Sequence, residues 1–199
     1  GTSATATLSL SGFIGSETVT VSANAATFSD KNVGTDKTVT VNSITLADGD
    51  NGGVTTNYSI ATGNTTTADI TAKALTIGGI TASNKTYDGN TTATISVASA
   101  TFTGLVEGDS VTVSATGVFD NKNVGTGKTV TLTETNAGDD VNNYSITAQG
   151  TTTANVTAKA LTYTVSASDK TYDGGTSATA TLSLSGFIGS ETVTVSANA

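Results

Sequence analysis

The sequence predicts an all-β protein made of immunoglobulin-like β-sandwich repeats of about 85 residues, arranged as a rod. Apolar and polar residues alternate with a period of two in residues 18–21, 38–41 and 129–132. This alternation is typical of strands that bury one face. Thr fills the polar positions, where it keeps the β-propensity high without adding apolar surface. No segment shows an apolar stripe at the 3.6-residue helical period, so no amphipathic helix is expected.

The repeat is visible at two scales. Residues 1–25 and 175–199 are identical, at an offset of 174. Between them, four shorter motifs return at offsets of 85 to 91: Lys-Thr-Tyr-Asp-Gly at 85–89 and 170–174, Phe-x-x-Lys-Asn-Val-Gly-Thr at 28–35 and 119–126, Asn-Tyr-Ser-Ile at 57–60 and 143–146, and Thr-Ala-Lys-Ala-Leu-Thr at 71–76 and 157–162. A period near 85 exceeds the roughly 20–50 residues of solenoid repeats. It suits a small β-sandwich, since immunoglobulin-like domains have about 100 residues.

These offsets divide the chain into three copies. The first copy, residues 1–76, lacks its first strand, the second copy, 77–162, is complete, and the third copy, 163–199, is the N-terminal part of another unit. The segments that join them, residues 69–76 and 155–162, contain neither Gly nor Pro. Because flexible linkers are rich in Gly and Ser, we expect these junctions to restrict bending.

The composition leaves little chemistry for catalysis. The chain has no His and no Cys, so the usual general base, thiolate nucleophile and soft-metal ligands are missing. We therefore expect no enzyme activity. The net charge of −8 disfavours nucleic-acid binding, and no apolar run reaches the roughly 20 residues needed to cross a bilayer.

The Tyr-Asp-Gly motif has two interpretations. It occurs as Lys85, Tyr87, Asp88 and Gly89, and again as Lys170, Tyr172, Asp173 and Gly174. An exposed Tyr beside Asp can bind sugar by stacking and hydrogen bonding. We favour a structural role, in which Tyr anchors the strand and Asp-Gly forms the following turn. Other residues expected in the core, the junctions or the turns are Tyr58, Tyr144, Phe28, Phe119, Val124, Leu161 and Gly125.

The eight Lys residues occupy equivalent positions in pairs: Lys31 and Lys122, Lys37 and Lys128, Lys73 and Lys159, Lys85 and Lys170. A buried Lys can condense with Asn to form an isopeptide bond, and Lys85 with Asn143 near Asp109 are candidates. Repeat similarity alone also keeps a Lys in place, and surface pairing or protection of strand edges accounts for it.

Two acidic loops, residues 48–52 and 138–140, raise the possibility of Ca²⁺ binding through oxygen ligands. Neither matches an EF-hand loop, and they are spaced differently from the following Tyr58 and Tyr144. Solvated turns explain them better, so no cofactor is expected.

The ordered series of motifs resembles the YDG/MBG-type tandem repeats of large bacterial surface and secreted proteins, including filamentous-haemagglutinin-like adhesins. The resemblance covers essentially the whole chain. It implies an extracellular or cell-surface location, a fibre of tandem β-domains and no catalytic residues.

We therefore expect a structural module of a bacterial extracellular fibre, biofilm matrix or adhesin stalk, whose partners are the neighbouring repeats. A carbohydrate-binding adhesin repeat that engages glycans along its length is the alternative. A third hypothesis is self-association, in which the strands at the C-terminal end of one chain complete the first copy of the next by strand addition.

Overall fold

The computed structural model describes residues 1–195 and shows an all-β fold. The predicted third copy extends to residue 199, so its last four residues lie outside the described part. Two single-turn 3-10 helices, Thr55–Asn57 and Val141–Asn143, are the helical elements among the described residues. Within those residues, no helix is long and apolar enough to cross a membrane.

The first copy contains a four-stranded antiparallel sheet with the order β1-β2-β3-β4. Its strands are β1 (Ser3–Ala4), β2 (Val19–Phe28), β3 (Gly34–Asp48) and β4 (Thr65–Ile70). Val39 and Val41 on β3 are buried and Thr38 is exposed, as the alternating pattern predicts.

The second copy and the junction before it contain ten strands. They are β5 (Lys73–Gly78), β6 (Thr81–Ala82), β7 (Lys85–Thr86), β8 (Thr92–Ala93), β9 (Ile95–Ser96), β10 (Thr101–Thr103), β11 (Thr112–Phe119), β12 (Gly125–Ala137), β13 (Tyr144–Thr147) and β14 (Thr151–Thr157). They form a five-stranded sheet ordered β7-β14-β12-β11-β8, a three-stranded sheet ordered β10-β5-β13, and the pair β6-β9. The pairings β2-β3-β4 and β11-β12-β14 join equivalent segments in the same order.

The third copy contributes an antiparallel pair, β15 (Thr162–Ala167) and β16 (Ala180–Ser185). Tyr163 pairs with Leu184 in this ladder, as Ile77 pairs with Phe102 between β5 and β10. The two pairings occupy equivalent positions in the sequence repeat, so the same local pattern forms the same strand pair twice.

The chain divides into two compact units, each assembled from separate stretches. Unit 1 comprises Gly1–Leu75, Gly104–Val111 and Gly138–Ile146, and unit 2 comprises Thr76–Thr103, Thr112–Ala137 and Thr147–Ala199. One core cluster in unit 1 contains Ala26, Val39 and Val41, with Leu8 and Phe28 packed against it. The buried apolar residues of unit 2 are Ile77, Ile80, Ala93, Phe119, Val130, Leu132, Ala154 and Val156.

Among the aromatic residues expected in the core, Phe119 and Tyr144 are buried, whereas Phe28, Tyr58 and Tyr87 are half-buried. The expectation that Tyr172 anchors a strand is wrong, because 92% of it is exposed. The strand before Tyr87 pairs with β14, and Tyr87 N–H donates to Thr157 O over 2.8 Å.

Gly125 does not form a turn. It is the first residue of β12 and pairs with Val156 of β14. The left-handed residue lies two positions later, at Gly127 (φ 58°), where the register of the ladder shifts between Gly125 and Lys128. The equivalent residue in β3 is Asp36 (φ 51°), so this bulge recurs in both copies.

Candidate functional site: two equivalent junction clusters

A short loop after β2, residues 29–33, carries Lys31 and is held in place by its own side chains. Asp30 Oδ1 accepts a hydrogen bond from Asn32 N–H over 2.8 Å and forms an ion pair with Lys37. In the equivalent loop after β11, Asn121 takes the place of Asp30 and accepts hydrogen bonds from Asn123 N–H over 2.9 Å and from Lys128 over 2.8 Å. The Lys128 ammonium also lies 2.7 Å from Asp120. Each loop therefore has hydrogen bonds and an ion pair of its own, in addition to its contacts with other parts of the chain.

Lys31 projects from this loop toward residues of the second copy that belong to the same compact unit. Its ammonium lies 2.9 Å from Asp109 Oδ1 and 2.7 Å from Asp140 Oδ1. The two carboxylate side chains are only 13% and 12% exposed, whereas the Lys31 side chain is 48% exposed. Hydrogen bonds from Lys31 lower the pKa of both carboxyl groups, and the two carboxylates raise the pKa of Lys31.

The backbone of the Lys-Asn-Val motif takes part in the same contact. Val33 N–H donates to Asn143 Oδ1 over 2.9 Å, and Asn143 Nδ2 donates to Asn32 Oδ1 over 3.1 Å. We call Lys31, Asp109, Asp140, Asn143 and Tyr144 the first junction cluster.

Tyr144 orients the Asp109 carboxylate. Its hydroxyl donates to Asp109 Oδ2 over 2.7 Å and accepts from Val106 N–H over 3.0 Å. The hydrogen bond from Tyr144 is the largest cause of the lowered pKa of Asp109, ahead of Lys31. Burial and the Asp109 carboxylate in turn raise the pKa of Tyr144. Asp109 is thus held ionised and fixed where Lys31 reaches it.

An equivalent arrangement lies in unit 2. The Lys122 ammonium is 2.6 Å from Glu191 Oε1 and lies 5.7 Å from the centre of the Tyr87 ring. The Tyr87 hydroxyl also donates a hydrogen bond to Glu191. Hydrogen bonds from Lys122 and Tyr87 lower the pKa of Glu191, and Glu191 raises the pKa of Lys122. We call Lys122, Glu191 and Tyr87 the second junction cluster.

Each cluster borders a small cavity. In unit 1 a cavity of about 140 Å³ is lined by residues that include Val33, Lys73 and Val106. In unit 2 a cavity of about 170 Å³ is lined at the equivalent positions by Val124, Lys159 and Ile188, among others. Val124 and Leu161, which were expected in the core or at a junction, are partly exposed and line the cavity in unit 2.

Comparison with known families gives a match over most of the chain. Residues 1–68 and 71–154 each match the YDG domain. The chain belongs to the YDG domain family. No curated protein and no solved structure matches it.

The Tyr-Asp-Gly motif forms a turn at both of its occurrences in this chain. Gly89 (φ 79°) and Gly174 (φ 75°) both adopt the left-handed conformation, which favours Gly. Lys85 Nζ donates to Asn90 O over 2.8 Å and forms an ion pair with Asp88, and the Lys170 ammonium lies 2.8 Å from Asp173. The Lys, Asp and Gly residues of the motif therefore stabilise their own turn in both copies.

The three isopeptide candidates have separate partners. Lys85 belongs to unit 2, where it contacts Asn90, Thr92 and Asp88. Asn143 and Asp109 belong to unit 1 and to the first junction cluster. The isopeptide bond stays a prediction, and an intact mass that shows no loss of ammonia would exclude it.

One carboxylate of each acidic loop accepts a hydrogen bond from the backbone. Asp48 Oδ1 accepts a hydrogen bond from Thr55 N–H over 2.7 Å, and Asp140 Oδ2 accepts one from Ser110 N–H over 2.9 Å. Among residues 1–195, no group of three or more acidic side chains is placed to hold a metal ion.

Sequence reasoning did not find the acidic partners of Lys31 and Lys122. Glu17, Asp109 and Glu191 each follow a Gly by five residues, at Gly12, Gly104 and Gly186. The segments 12–17 and 186–191 are identical, and the segment 104–109 keeps the spacing although the residues between are diverged. Tyr58 donates to Glu17 over 2.6 Å, as Tyr144 does to Asp109, so the acidic position has the same role in both copies.

Proposed function

We propose that the chain is a structural module of a bacterial extracellular fibre, biofilm matrix or adhesin stalk, and that it acts as a stiff spacer. In this proposal each copy is an immunoglobulin-like β-sandwich, and successive copies form a rod. Its work is mechanical: it spans distance and holds a distal binding site or crosslinks a matrix.

One observation carries this proposal: equivalent Lys residues of two copies bind an acidic residue of the copy that follows. Lys31 binds Asp109, and Lys122 binds Glu191. A flexible connection would not be expected to form the same side-chain contact at successive junctions. Two contacts of the same chemistry at equivalent positions favour a connection with a defined angle.

The surroundings of the contacts support the same function. Each Lys comes from a loop fixed by a second Lys, Lys37 or Lys128. Tyr144 fixes the acidic partner Asp109. Because both sides of the first contact are also held by other hydrogen bonds, its formation should cost less conformational entropy than that of an isolated exposed ion pair.

Membership of the YDG family and the resemblance to filamentous-haemagglutinin-like adhesins favour an extracellular location in bacteria. The net charge of −8 is consistent with a surface that repels other copies where no specific contact forms. No reactive site is needed for this function, which agrees with the absence of His and Cys from the sequence.

The proposal is tested with the 199-residue chain in two experiments. Small-angle scattering at rising ionic strength should give a constant maximum dimension, because a junction held by ordered side chains keeps its angle. A maximum dimension that changes as the salt concentration rises would argue against a stiff connection. A glycan array should show no binding, whereas saturable binding to one glycan class would favour the carbohydrate-binding function instead.

A further inference from the structure

The acidic loop after β3 contains the single Asn-Gly pair of the sequence, Asn51 and Gly52. Both residues are exposed, and both have a left-handed backbone, with φ of 58° at Asn51 and 88° at Gly52. Asp36 is the other residue besides Gly that has a positive φ in the described part of the chain. Side chains disfavour this conformation, although Asn adopts it more readily than most residues. An excursion of Asn51 out of this turn therefore costs less than one from an unstrained backbone.

The backbone nitrogen of Gly52 is free to react. Gly49 N–H and Gly53 N–H donate within the loop, to Gly53 O and Asp50 O, but Gly52 N–H donates to no residue that the structure describes. Gly52 has no side chain that could shield its nitrogen. A Cβ added there would meet no atom within 4 Å, so the solvent reaches this side of the peptide bond.

We propose that Asn51 is a site of self-modification, at which the backbone nitrogen of Gly52 attacks the side-chain amide of Asn51. The N–H proton of Gly52 passes to hydroxide, the nitrogen forms a bond to Cγ of Asn51, and the Cγ–Nδ2 bond breaks. Nδ2 takes a proton from water, which regenerates hydroxide, and leaves as ammonia. The product of this step is a five-membered cyclic imide.

Water then opens the imide at one of its two carbonyl carbons. Opening at Cγ gives an aspartate at position 51. Opening at the backbone carbonyl carbon gives isoaspartate, in which the backbone continues through Cγ. The complete reaction consumes one water, releases one ammonia and adds one negative charge to the loop.

The reaction removes a hydrogen bond that joins the loop to residues 16–18. Asn51 Nδ2 donates to Ser16 O over 2.9 Å, whereas the carboxylate of either product can only accept. Isoaspartate also lengthens the backbone by one carbon where the loop packs tightly on Thr18. A Cβ added at Gly49 or Gly53 would lie 2.3 Å or 1.9 Å from Thr18 O. The modification should therefore loosen residues 16–18.

This loosening concerns the acidic position of the first copy. Glu17 lies within residues 16–18 and accepts a hydrogen bond from the Tyr58 hydroxyl over 2.6 Å. The equivalent loop of the second copy, residues 138–140, contains no Asn-Gly pair, so the reaction distinguishes the two copies. The proposal does not rest on the spacer function.

Peptide mapping by mass spectrometry, after incubation of the 199-residue chain in mildly alkaline buffer, tests the proposal. The fragment that contains Asn51 should gain the mass difference between OH and NH2 before any fragment with another Asn. The gain should be smaller in mildly acidic buffer, because less hydroxide is present to take the Gly52 proton. A free peptide of residues 46–57 sets the time scale. A chain that keeps Asn51 unmodified after this peptide has reacted, or that gains mass first at another Asn, overturns the proposal.

Asn51→Asp tests the effect on the loop directly. It removes the donor to Ser16 O and should lower the unfolding temperature below that of the parent chain. The matched control is Asn64→Asp, which adds the same charge at an exposed position of the first copy outside this loop. It should lower the unfolding temperature less. Equal lowering by the two variants would overturn the proposed loosening, because the added charge alone would then account for the effect.

Discussion

Asp109 and Glu191 stand at equivalent positions of successive copies, and each binds the Lys that lies in the Lys-Asn-Val-Gly-Thr motif of the preceding copy. The two acids differ in length, and the aromatic groups that orient them differ too. Tyr144 follows Asp109 within its own copy, whereas Tyr87 precedes Glu191 by more than a hundred residues. Both copies therefore form the ion pair, although a different Tyr orients the acidic side chain in each.

Lys31→Met should lower the unfolding temperature of the chain. The substitution leaves the Asp109 and Asp140 carboxylates without the cation that binds both of them. The hydrogen bond from Lys31 is the largest cause of the lowered pKa of Asp140, and repulsion from Asp109 opposes it. Thermal unfolding followed by circular dichroism at neutral pH measures the effect.

The matched control is Lys170→Met, which removes an ion pair with Asp173 only three residues away on an exposed turn. Exposed pairs of this kind contribute little to stability, so the unfolding temperature should change less than in Lys31→Met. A double-mutant cycle of Lys31→Met with Asp109→Asn should show coupling. Additive effects would mean that the contact contributes nothing.

Stability should fall at acid pH. Asp109, Asp140 and Glu191 have pKa values lowered from ordinary values of 3.8, 3.8 and 4.5. A lowered pKa in the folded state means that the stabilisation is complete above the ordinary value and is lost as the pH falls through the folded value. The denaturant midpoint should therefore decline below about pH 4.

The same profile should be flat near neutrality and fall again at alkaline pH. The chain has no His, so no side chain with an ordinary pKa titrates between about pH 5 and 9. Lys31 and Tyr144 have pKa values raised above 10.5 and 10.0, so their stabilisation is lost as the pH rises through the folded values. A midpoint that changes steeply near pH 7 would contradict this account.

Leu75→Ala and Leu161→Ala should differ in cost although the two residues are equivalent in the sequence repeat. Leu75 is fully buried, so its truncation should lower the free energy of unfolding by about 2–5 kcal/mol. Leu161 is 37% exposed and should lose less than Leu75. Urea denaturation measures the free energy of unfolding of both variants. Equal losses would contradict the finding that Leu75 is buried and Leu161 is not.

Gly127→Ala should destabilise the chain by about 1–2 kcal/mol, because Gly127 has a left-handed backbone that side chains disfavour. No atom lies within 4 Å of an added Cβ, so the cost is conformational and not steric. Asp36→Gly, at the equivalent bulge, should cost less, since Gly relieves the same strain there. Urea denaturation of both variants measures the costs. A larger loss of stability in Asp36→Gly than in Gly127→Ala would show that the bulge is not strained.

The fold class could be predicted from the sequence because its signal is local. Alternation of Thr and Val decides which face of a strand is buried, and Val39 and Val41 are buried as that pattern requires. The Asp-Gly turn was equally predictable, since the left-handed conformation at Gly89 needs no information beyond the residue type.

The junction clusters could not be predicted in the same way. Lys31 and Asp109 are 78 residues apart, and nothing in the residues near Lys31 indicates which acid it meets. The exposure of Tyr172 was missed for a related reason. Burial of the equivalent Tyr87 depends on distant residues such as Glu191, and an identical motif without them stays exposed.

If the Lys31–Asp109 contact stiffens the connection between the first and second copies, its removal should let the two copies move relative to one another. Because the chain has no Cys, two spin labels can be attached at Thr38→Cys and Ser145→Cys, both at exposed positions of unit 1. The distribution of distances between the labels, measured by pulsed electron resonance, should be narrow in the parent chain and clearly broader after Lys31→Met. Equal widths in the two proteins, or a broad distribution in both, would contradict the claim.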